Sequence, residues 1–546
     1  MNTLNTKTES NRLVEFTFES SITYQNPFTE ITLDAIFTEP SGNKRCIPAF
    51  WAGGNTWRIR YASSALGLHH FITQCSDSNN DALHNQKNTV EVIAYKGKNA
   101  LLRHGAPNVA KDKRHFSHAD GTPFFWLGDT WWMGLTKRLS WPEEFQKLTQ
   151  NRTSKGFSVV QIVAGLYPDM PAFDARGISE SGFPWEQDFS AIRPQFFDEA
   201  DQRMMHLVEQ GIVPCILGAW GYYLPWLGTE KMKLHWRYLV ARWGALPVVW
   251  AAAGEQTMPW YLSDNKEADS QLLKREWTKV IRYLRKVDGF WRMLTTHPHK
   301  SARESVNDPS LIDFEMQQTG HSNPTKHHAQ RALEGWQDAP TMPVVNGESR
   351  YEALNIFPSV TSKNTRQAFW AHMLNSGCAG HTYGANGIWQ VNKIHAPFGK
   401  SPGGNDWGGI PWDAAINLPA SSQLAIAKEF FLALPWYALG NLEIKMDLKS
   451  KLMGLLFAPL ARQTPIAAAA ISDGSLALYY LQNLNPVSIE MSFFYGSVSA
   501  RWFDPTSGIE TPAANKSLSN NGKCKFTPPN KNADGDCDWV LVLQVM

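Results

Sequence analysis

The sequence lacks several features that would place it in a common class of protein. No apolar run reaches about 18 residues, so we expect no membrane-spanning segment and no membrane partner. The formal net charge is only +2, which argues against nucleic acid as the main partner. The residues after Met1 lack the apolar stretch of a signal peptide. We therefore expect a cytoplasmic location, or a periplasmic one if a leader has been removed.

Cysteine and histidine patterns typical of metal sites are also missing. The six cysteines are scattered and form no Cys-x-x-Cys pair, so we expect no zinc site. Free thiols are expected, or at most one bridge between Cys524 and Cys537. A metal-dependent barrel hydrolase would need paired histidines at its strand ends, and the first predicted barrel strand has no His-x-His. We expect no metal and no other cofactor.

What the sequence does contain is a large apolar fraction and many tryptophans. Hydrophobic residues make up 43% and charged residues 19%, as in a well-buried globular protein. The length of 546 residues suggests about three domains. The 23 tryptophans suit sugar rings as well as protein cores. The composition is also compatible with a homo-oligomer.

The two ends of the chain alternate apolar and polar residues over short segments, which is typical of half-buried strands. We predict an N-terminal β-sandwich over residues 1–105 and a C-terminal β-sandwich over residues 436–546. The predicted strands of the first domain are 14–18, 31–37, 57–61 and 90–95. Those of the last domain are 454–457, 466–471, 476–481 and 539–543.

Between these ends, strands alternate with helices, which indicates a parallel sheet. Eight such units over residues 106–435 predict an α/β domain, a (β/α)8 TIM barrel. One of its helices has a capping-box spacing at its start, from Ser140 to Glu143. The predicted barrel strands are 124–129, 159–163, 212–217, 248–255, 290–295, 311–317, 343–348 and 380–384.

Two glutamates end predicted strands on opposite sides of the barrel. Glu255 ends the fourth strand and Glu348 ends the seventh, so their side chains can face each other across the barrel mouth. Paired carboxylates are the minimum equipment for hydrolysis of a glycosidic bond. A retaining enzyme would place them about 5–5.5 Å apart. Each follows a glycine, which allows the backbone to bend.

Other polar and aromatic residues near strand ends are candidates for binding substrate. Each has an alternative role in a turn or in the core, since buried Trp, His and Asp often serve structure alone. A basic cluster after the fifth strand would suit an anionic sugar, although a solvated loop explains it as well. Glu315 and Glu352 are rival carboxylates to the main pair. The candidate substrate-binding residues are Asp129, Trp131, Trp132, Trp220, Trp260, His297, Gln317, His321, His381, Tyr383 and Trp389, and the basic cluster is His297, His299, Lys300 and Arg303.

Three stretches resemble apiosidase-like glycoside hydrolases: FWLGDTWW at 125–132, VWAAAGE at 249–255 and PVVNGESRYE at 343–352. Their superfamily has (β/α)8 barrels with the acid/base on strand four and the nucleophile on strand seven. The resemblance implies a retaining mechanism with Glu255 as acid/base and Glu348 as nucleophile. Two departures stand out: Gly254 replaces the superfamily's sugar-binding Asn, and Glu255 stands where apiosidase-like enzymes place Asp.

We therefore expect a retaining, exo-acting glycoside hydrolase that acts on plant or algal oligosaccharides. The long loops 167–195 and 395–412 would close one end of the groove. A β-galactoside of a sulfated algal galactan such as carrageenan is one substrate that the basic cluster would suit. The alternative is a non-catalytic carbohydrate-binding or scaffold protein with an inactive barrel, which predicts loss of one of the two glutamates.

Overall fold

A computed structural model describes residues 6–442 and 467–546 and has an eight-stranded parallel sheet at its centre. This confirms the predicted α/β fold class, a TIM-like barrel with β-sheets at both ends of the chain. Every residue of seven of the eight strands is buried, and only the last residue of the sixth is partly exposed. Burial on both faces is what gives parallel strands their continuous apolar sequence. The barrel strands are Trp126–Trp131, Val159–Val163, Val213–Leu217, Val249–Ala251, Leu294–Thr295, Glu315–Gln318, Val344–Glu348 and Gly380–Tyr383.

Seven neighbouring pairs of barrel strands form parallel ladders, and the eighth junction, between strands five and six, is held by other hydrogen bonds. The Asp313 amide donates to the Leu294 carbonyl at 2.8 Å, and the Thr295 hydroxyl donates to the Phe314 carbonyl at 2.9 Å. These bonds complete the ring. The carboxyl ends of all eight strands therefore meet at one mouth.

Helices surround the sheet. The capping box predicted at Ser140 is wrong: the helix begins at Glu143 without a side-chain cap, and Glu144 instead accepts the Ser140 amide at 2.7 Å. Among the described residues, no helix combines the length and apolarity needed to span a bilayer. The helices of eight or more residues are Glu143–Ser154, Pro194–Glu209, Thr229–Trp243, Lys266–Val287, Thr325–Gln337, Ser362–Ser376 and Pro419–Leu432.

The N-terminal region contains a five-stranded and a three-stranded sheet that face each other across an aromatic core. Phe16 of the smaller sheet contacts Phe71 of the larger one, with ring centroids 4.8 Å apart. The buried Arg60 reaches the barrel and pairs with Asp201 at 2.6 Å. The strands of the larger sheet are Thr6–Glu9, Lys87–Ile93, Gly67–Cys75, Leu33–Thr38 and Lys44–Pro48, and those of the smaller are Val14–Glu19, Thr56–Tyr61 and Phe50–Trp51.

The C-terminal region pairs a six-stranded sheet with a two-stranded one. The buried Arg366 of the barrel donates to Asp538 at 2.8 Å and joins the two regions. The strand predicted at 454–457 lies outside the described residues. All six cysteines are free thiols, including Cys524 and Cys537. The strands of the larger sheet are Gly440–Asn441, Ala467–Ala470, Leu476–Leu481, Trp539–Val545, Val498–Phe503 and Glu510–Pro512, and those of the smaller are Val487–Glu490 and Lys523–Phe526.

Candidate active site

A pocket of about 130 Å³ opens at the carboxyl ends of the barrel strands and contains both glutamates. For comparison, an engineered apolar cavity of about 150 Å³ holds one benzene ring. The pocket thus has room for about one sugar ring. It is lined by Trp132, Pro168, Asp169, Trp220, Glu255, Tyr261, Gln318, His321, Glu348, Tyr351, Leu354, Trp389 and Trp407.

Glu348 is held by donors on both of its carboxylate oxygens. Its Oε1 accepts from Gln318 Nε2 at 2.8 Å and lies 3.1 Å from His321 Nε2. Its Oε2 accepts from the Tyr351 hydroxyl at 3.0 Å and lies 3.4 Å from His297 Nε2. The side chain is only 8% exposed. These contacts fix the carboxylate in one orientation at the end of the seventh strand.

The charge on Glu348 is stabilised by its histidine neighbours. Burial alone would raise the pKa of Glu348, but His297 and His321 outweigh it and lower that pKa well below its usual range. His321 Nδ1 lies 2.7 Å from the Ser349 carbonyl, so this nitrogen must carry a proton. With the Glu348 carboxylate at Nε2, the pKa of His321 is raised despite its burial. Both ring nitrogens of His321 thus face oxygen acceptors, an arrangement that favours the charged imidazolium beside the Glu348 carboxylate.

Glu255 is held differently, on a turn just past the fourth strand. Its φ of 40° is in the left-handed region, which costs a non-glycine residue about 1–3 kcal/mol unless its surroundings hold it there. Three backbone hydrogen bonds do so: Gly254 accepts from Gly221 at 2.7 Å, Glu255 accepts from Met258 at 2.7 Å, and Gln256 donates to His297 at 3.1 Å.

One side chain bridges the two glutamates. Gln318 Nε2 donates to Glu255 Oε1 at 3.0 Å and to Glu348 Oε1 at 2.8 Å. Because both distances start from the same nitrogen, the two oxygens lie no farther apart than the sum of 3.0 and 2.8 Å, which is 5.8 Å. His299 Nδ1 lies 3.6 Å from the same oxygen of Glu255, and this contact raises the pKa of His299.

Gly254 is required by packing. A Cβ atom at this position would lie 2.1 Å from the ring of Trp220, a pocket residue that is itself only 3% exposed. An asparagine therefore cannot stand before Glu255 while Trp220 keeps its place. The positive φ belongs to Glu255 itself, so the glycine serves close approach of the indole ring here.

The predicted substrate-binding residues divide into those that line the pocket, one that lies beneath it and those outside it. Trp132, Trp220, His321 and Trp389 line the pocket with the two glutamates. His297 is fully buried beneath them, with its ring centroid 5.2 Å from that of Trp132. The structure places the remaining six outside the pocket lining: Asp129, Trp131, Trp260, Gln317, His381 and Tyr383.

Asp129 and Trp131 contact each other instead of the pocket. Asp129 is fully buried, and its Oδ2 accepts from Arg152 Nε at 2.5 Å and from Trp131 Nε1 at 2.8 Å, while its Oδ1 accepts from the Thr130 amide at 2.9 Å. With both oxygens occupied, the carboxylate stabilises a buried arginine.

Tyr383, His381 and Trp260 also serve the surrounding structure. The Tyr383 hydroxyl donates to Glu352 Oε2 at 2.7 Å, and this rival carboxylate also accepts from a backbone amide. His381, a residue of the eighth strand, is buried against Phe369 and does not line the pocket. Trp260 packs against Tyr261, with ring centroids 5.5 Å apart, and supports that pocket residue from outside.

Gln317 and Gln318 point to opposite faces of the sixth strand, and the pairing with the seventh strand shifts register between them. Gln317 pairs with Asn346, but Gln318 pairs with Glu348, so an irregularity lies at this point. Gln317 Nε2 then donates to the Arg331 carbonyl at 2.8 Å, while Gln318 reaches the glutamates. The extra residue, Gly347, lies in the seventh strand, and this bulge brings Glu348 opposite Gln318.

The basic cluster after the fifth strand is not assembled in the pocket. Arg303 is buried and donates to the carbonyls of Gly335 and Pro340 at 3.0 and 2.9 Å. Lys300 is exposed and does not line the pocket. His297 and His299 each approach one of the two glutamates. The rival Glu315 is buried against Arg303, and its Oε2 accepts a hydrogen bond from the Arg303 backbone amide at 3.0 Å.

Sequence reasoning missed several residues that line the pocket. Asp169, Tyr261 and Trp407 come from long loops, whose path the local sequence does not specify. Tyr351 lies inside the resembling stretch 343–352, which was the available signal for it. Among residues 6–442 and 467–546, no group of three His, Cys, Asp or Glu side chains is arranged to hold a metal ion.

Comparison with protein families gives matches over each region of the chain. The family described as "Apiosidase-like, catalytic domain" matches residues 110–438, which is more than half of the chain. A domain of unknown function matches residues 7–76, and a candidate collagen-binding domain of a collagenase matches residues 459–544. No curated protein matches the sequence.

Three solved structures share the fold. A glycoside hydrolase is 20% identical, with a TM-score of 0.66, and the match covers 82% of this chain and 99% of that one. A family 5 glycoside hydrolase from Bacteroides vulgatus ATCC 8482 is 19% identical, with a TM-score of 0.65 and coverage of 81% and 93%. A candidate glycoside hydrolase from the same organism is 17% identical, with a TM-score of 0.69 and coverage of 99% and 100%.

The identity of the chain follows from the family match, which spans the whole barrel and both glutamates. At identities of 17–20%, the solved structures add only that the fold is shared. The chain belongs to the apiosidase-like catalytic domain family, and the protein is a glycoside hydrolase.

Proposed function

We propose that the protein is a retaining glycoside hydrolase in which Glu348 is the nucleophile and Glu255 is the acid/base. The observation that carries this proposal is the shared contact to Gln318, which limits the nearest oxygens of the two glutamates to a separation of 5.8 Å at most. Retaining enzymes have carboxyl groups about 5–5.5 Å apart, whereas inverting enzymes need about 6.5–9.5 Å to admit a water molecule.

The surroundings of the two glutamates support these separate roles. Glu348 is kept ionised by His321, as an attacking carboxylate must be. Among the described residues, the Glu255 carboxylate has only the Gln318 amide as a hydrogen-bond donor, with His299 nearby, and its side chain is more exposed, at 14%. An amide N–H can donate to a carboxylate or to the carbonyl oxygen of a carboxylic acid. Glu255 can therefore gain and lose a proton without losing this contact.

The reaction would proceed in two displacements. Glu348 attacks the anomeric carbon while the glycosidic bond breaks, and Glu255 gives its proton to the leaving oxygen. Glu255 then takes a proton from water, whose oxygen attacks the anomeric carbon and releases Glu348. The same anomer is restored, because the carbon is inverted twice.

Exo action is supported by the size and walls of the pocket. Its volume of about 130 Å³ suits a single terminal ring, and both long loops contribute a wall residue, Asp169 and Trp407. Arg176 ties these loops together by donating to the carbonyls of Asp169 and Phe398 at 3.1 and 3.0 Å. We propose an oligosaccharide as the substrate. The basic cluster that favoured a sulfated substrate lends no support, since it is not gathered in the pocket.

The test is the anomeric configuration of the first product. A panel of 4-nitrophenyl glycosides identifies a cleaved substrate, and proton NMR during its early hydrolysis reads the anomer before mutarotation. We expect the substrate's own configuration, and a 2-deoxy-2-fluoro glycoside should label Glu348 in a peptide map. The opposite anomer would reject retention, and a label on another residue would reject Glu348 as nucleophile. An inert wild type on every glycoside would favour the non-catalytic alternative.

A further inference from the structure

A third carboxylate shares the pocket with Glu255 and Glu348. Asp169 lies in the loop of residues 164–193, lines the pocket and is 6% exposed. The two-carboxylate mechanism gives it no chemical step. Burial of an acid is costly unless its oxygens find partners, so its presence beside the reacting centre calls for a role.

The position of Asp169 is fixed from two sides. Its φ of 57° is left-handed, a conformation that Asp and Asn tolerate better than most residues. Its backbone carbonyl accepts from Arg176, and its Oδ1 accepts from the Tyr261 hydroxyl at 2.7 Å. Among the described residues, Oδ2 accepts no hydrogen bond. The carboxylate is thus held rigidly with one oxygen free.

A free donor faces the same carboxylate. The Trp407 indole N–H faces Asp169 closely enough to lower the pKa of that carboxyl, but its buried Nε1 makes no hydrogen bond of good geometry to any described residue. A buried N–H without a partner is uncommon in a folded protein. The pocket therefore presents one unoccupied acceptor and one unoccupied donor side by side.

This pairing matches the chemistry of a hydroxyl group. A hydroxyl donates one hydrogen bond and accepts others, so it can donate to Asp169 and accept from Trp407 at once. An ammonium group has no acceptor for the indole N–H. A sulfate or carboxylate has no donor for Asp169.

The charges of the pocket also disfavour an anionic sugar. Three carboxylates line it, and none of its described lining residues is Lys or Arg. The histidine that lines it, His321, is already paired with Glu348. Burial raises the pKa of Asp169 to about 6, and the charges of Glu255 and Glu348 add to this effect while Tyr261 and Trp407 oppose it. A further negative group would meet the same repulsion.

We propose that Asp169 and Trp407 bind one hydroxyl of the sugar whose glycosidic bond is cleaved, and that the pocket thereby selects an uncharged sugar. This inference rests on the proposed function, because it assigns that sugar to the pocket beside the two catalytic glutamates. Tyr261 is a positioning residue in this arrangement.

The kinetic test uses the neutral 4-nitrophenyl glycoside that the wild type cleaves fastest, together with its monodeoxy analogues. Asp169→Asn keeps the shape and tolerates the left-handed backbone, so it should fold. We expect it to lower kcat/KM on the parent by about 10- to 100-fold, as for loss of a hydrogen bond to a charged group. On the monodeoxy analogue that lacks the hydroxyl bound by Asp169, the kcat/KM values of wild type and variant should agree within about twofold. Trp407→Phe should also lower kcat/KM on the parent, and this loss should disappear on the same monodeoxy analogue.

Several outcomes would overturn the inference. An equal loss on the parent and on every analogue would mean that Asp169 supports the fold rather than a hydroxyl. A wild type that prefers the matching uronide, a sulfated glycoside or an amino-sugar glycoside would refute selection for an uncharged sugar. Asp188→Asn is the matched control, because Asp188 is exposed in the same loop and does not line the pocket. It should behave as wild type.

A binding test separates this inference from the proposed function. A panel of neutral monosaccharides is titrated into Glu348→Gln and into Glu348→Gln with Asp169→Asn, with tryptophan fluorescence and calorimetry as readouts. If no glycoside is hydrolysed but the second substitution weakens binding, the proposed function fails and the recognition site stands. If hydrolysis depends on Glu348 but neither readout depends on Asp169, the recognition site fails alone. Absence of binding by any neutral monosaccharide also rejects it.

Discussion

The ends of the fourth and seventh barrel strands deliver the same side chain to one pocket in two different ways. Glu348 is the last residue of its strand and contacts four side chains. Glu255 lies four residues beyond its strand, on left-handed backbone, and meets one amide and one histidine. The difference suits one group that must stay ionised and one that must exchange protons.

The backbone at each site explains how this difference is maintained. Glu348 is fixed by its pairing with Gln318 of the sixth strand, in a strand that also pairs with the eighth as far as Asn346. Glu255 depends on the loops that pack around it, because Gly221 and Trp220 hold its turn in place. We therefore expect Glu348 to be sensitive to its side-chain contacts, and Glu255 to be sensitive to the packing beneath its backbone.

The largest effect should come from Glu348→Gln. An amide cannot form the glycosyl intermediate, so we expect kcat/KM to fall by roughly 10⁵-fold on any glycoside, whatever its leaving group. Initial-rate measurements on the best aryl glycoside check this, with circular dichroism to confirm folding. A loss smaller than tenfold would reject Glu348 as the nucleophile.

Glu255→Gln should have a smaller effect that depends on the leaving group. General acid–base catalysis contributes about 10²–10⁴-fold, and an activated aryl leaving group needs little protonation. We expect near-complete loss on an alkyl glycoside but a burst of aryl alcohol from a 2,4-dinitrophenyl glycoside. Added azide should restore turnover and yield the glycosyl azide. Equal losses on both substrates without azide rescue would contradict the acid/base role.

Gly254→Ala tests the packing beneath Glu255. The added methyl group would overlap the Trp220 ring, and overpacking of this kind costs about 1–3 kcal/mol. We expect a lower apparent Tm and a loss of activity of about tenfold or more. Gly409→Ala is the control, since the nearest atom to its Cβ would be 3.9 Å away. If both variants behaved alike, close approach of Trp220 would not explain the glycine.

The smallest expected effect is a change of pH profile in His321→Asn. His321 lowers the pKa of Glu348, so its loss should raise that pKa and move the acidic limb of kcat/KM to higher pH. The sign follows because the nucleophile must be deprotonated to attack. His395→Asn, in an exposed loop position, should leave the profile unchanged. If the acidic limb did not move, His321 would not control the pKa of Glu348.

Much of the fold and the central pair were accessible to sequence reasoning. All eight barrel strands were predicted, because buried parallel strands are apolar throughout and are bounded by turn residues. Glu255 and Glu348 stood out because each ends such a run. What failed was the assignment of individual side chains to the inner or outer face of the barrel. A strand buried on both faces has no polar alternation to mark them, so Asp129 and Tyr383 could not be told from pocket residues.

The sequence by itself determined the strand order, the two strand-end glutamates and the family, because these depend on local periodicity and short motifs. Only the tertiary structure decided which groups surround those glutamates. Gln318 reaches Glu348 because a shift of register between the sixth and seventh strands places the two residues opposite each other. Asp169 and Trp407 meet because distant loops pack together. Arg303 does not join the predicted basic cluster, because its guanidinium donates to buried carbonyls instead. Each of these contacts joins residues far apart in the chain, where no local pattern records them.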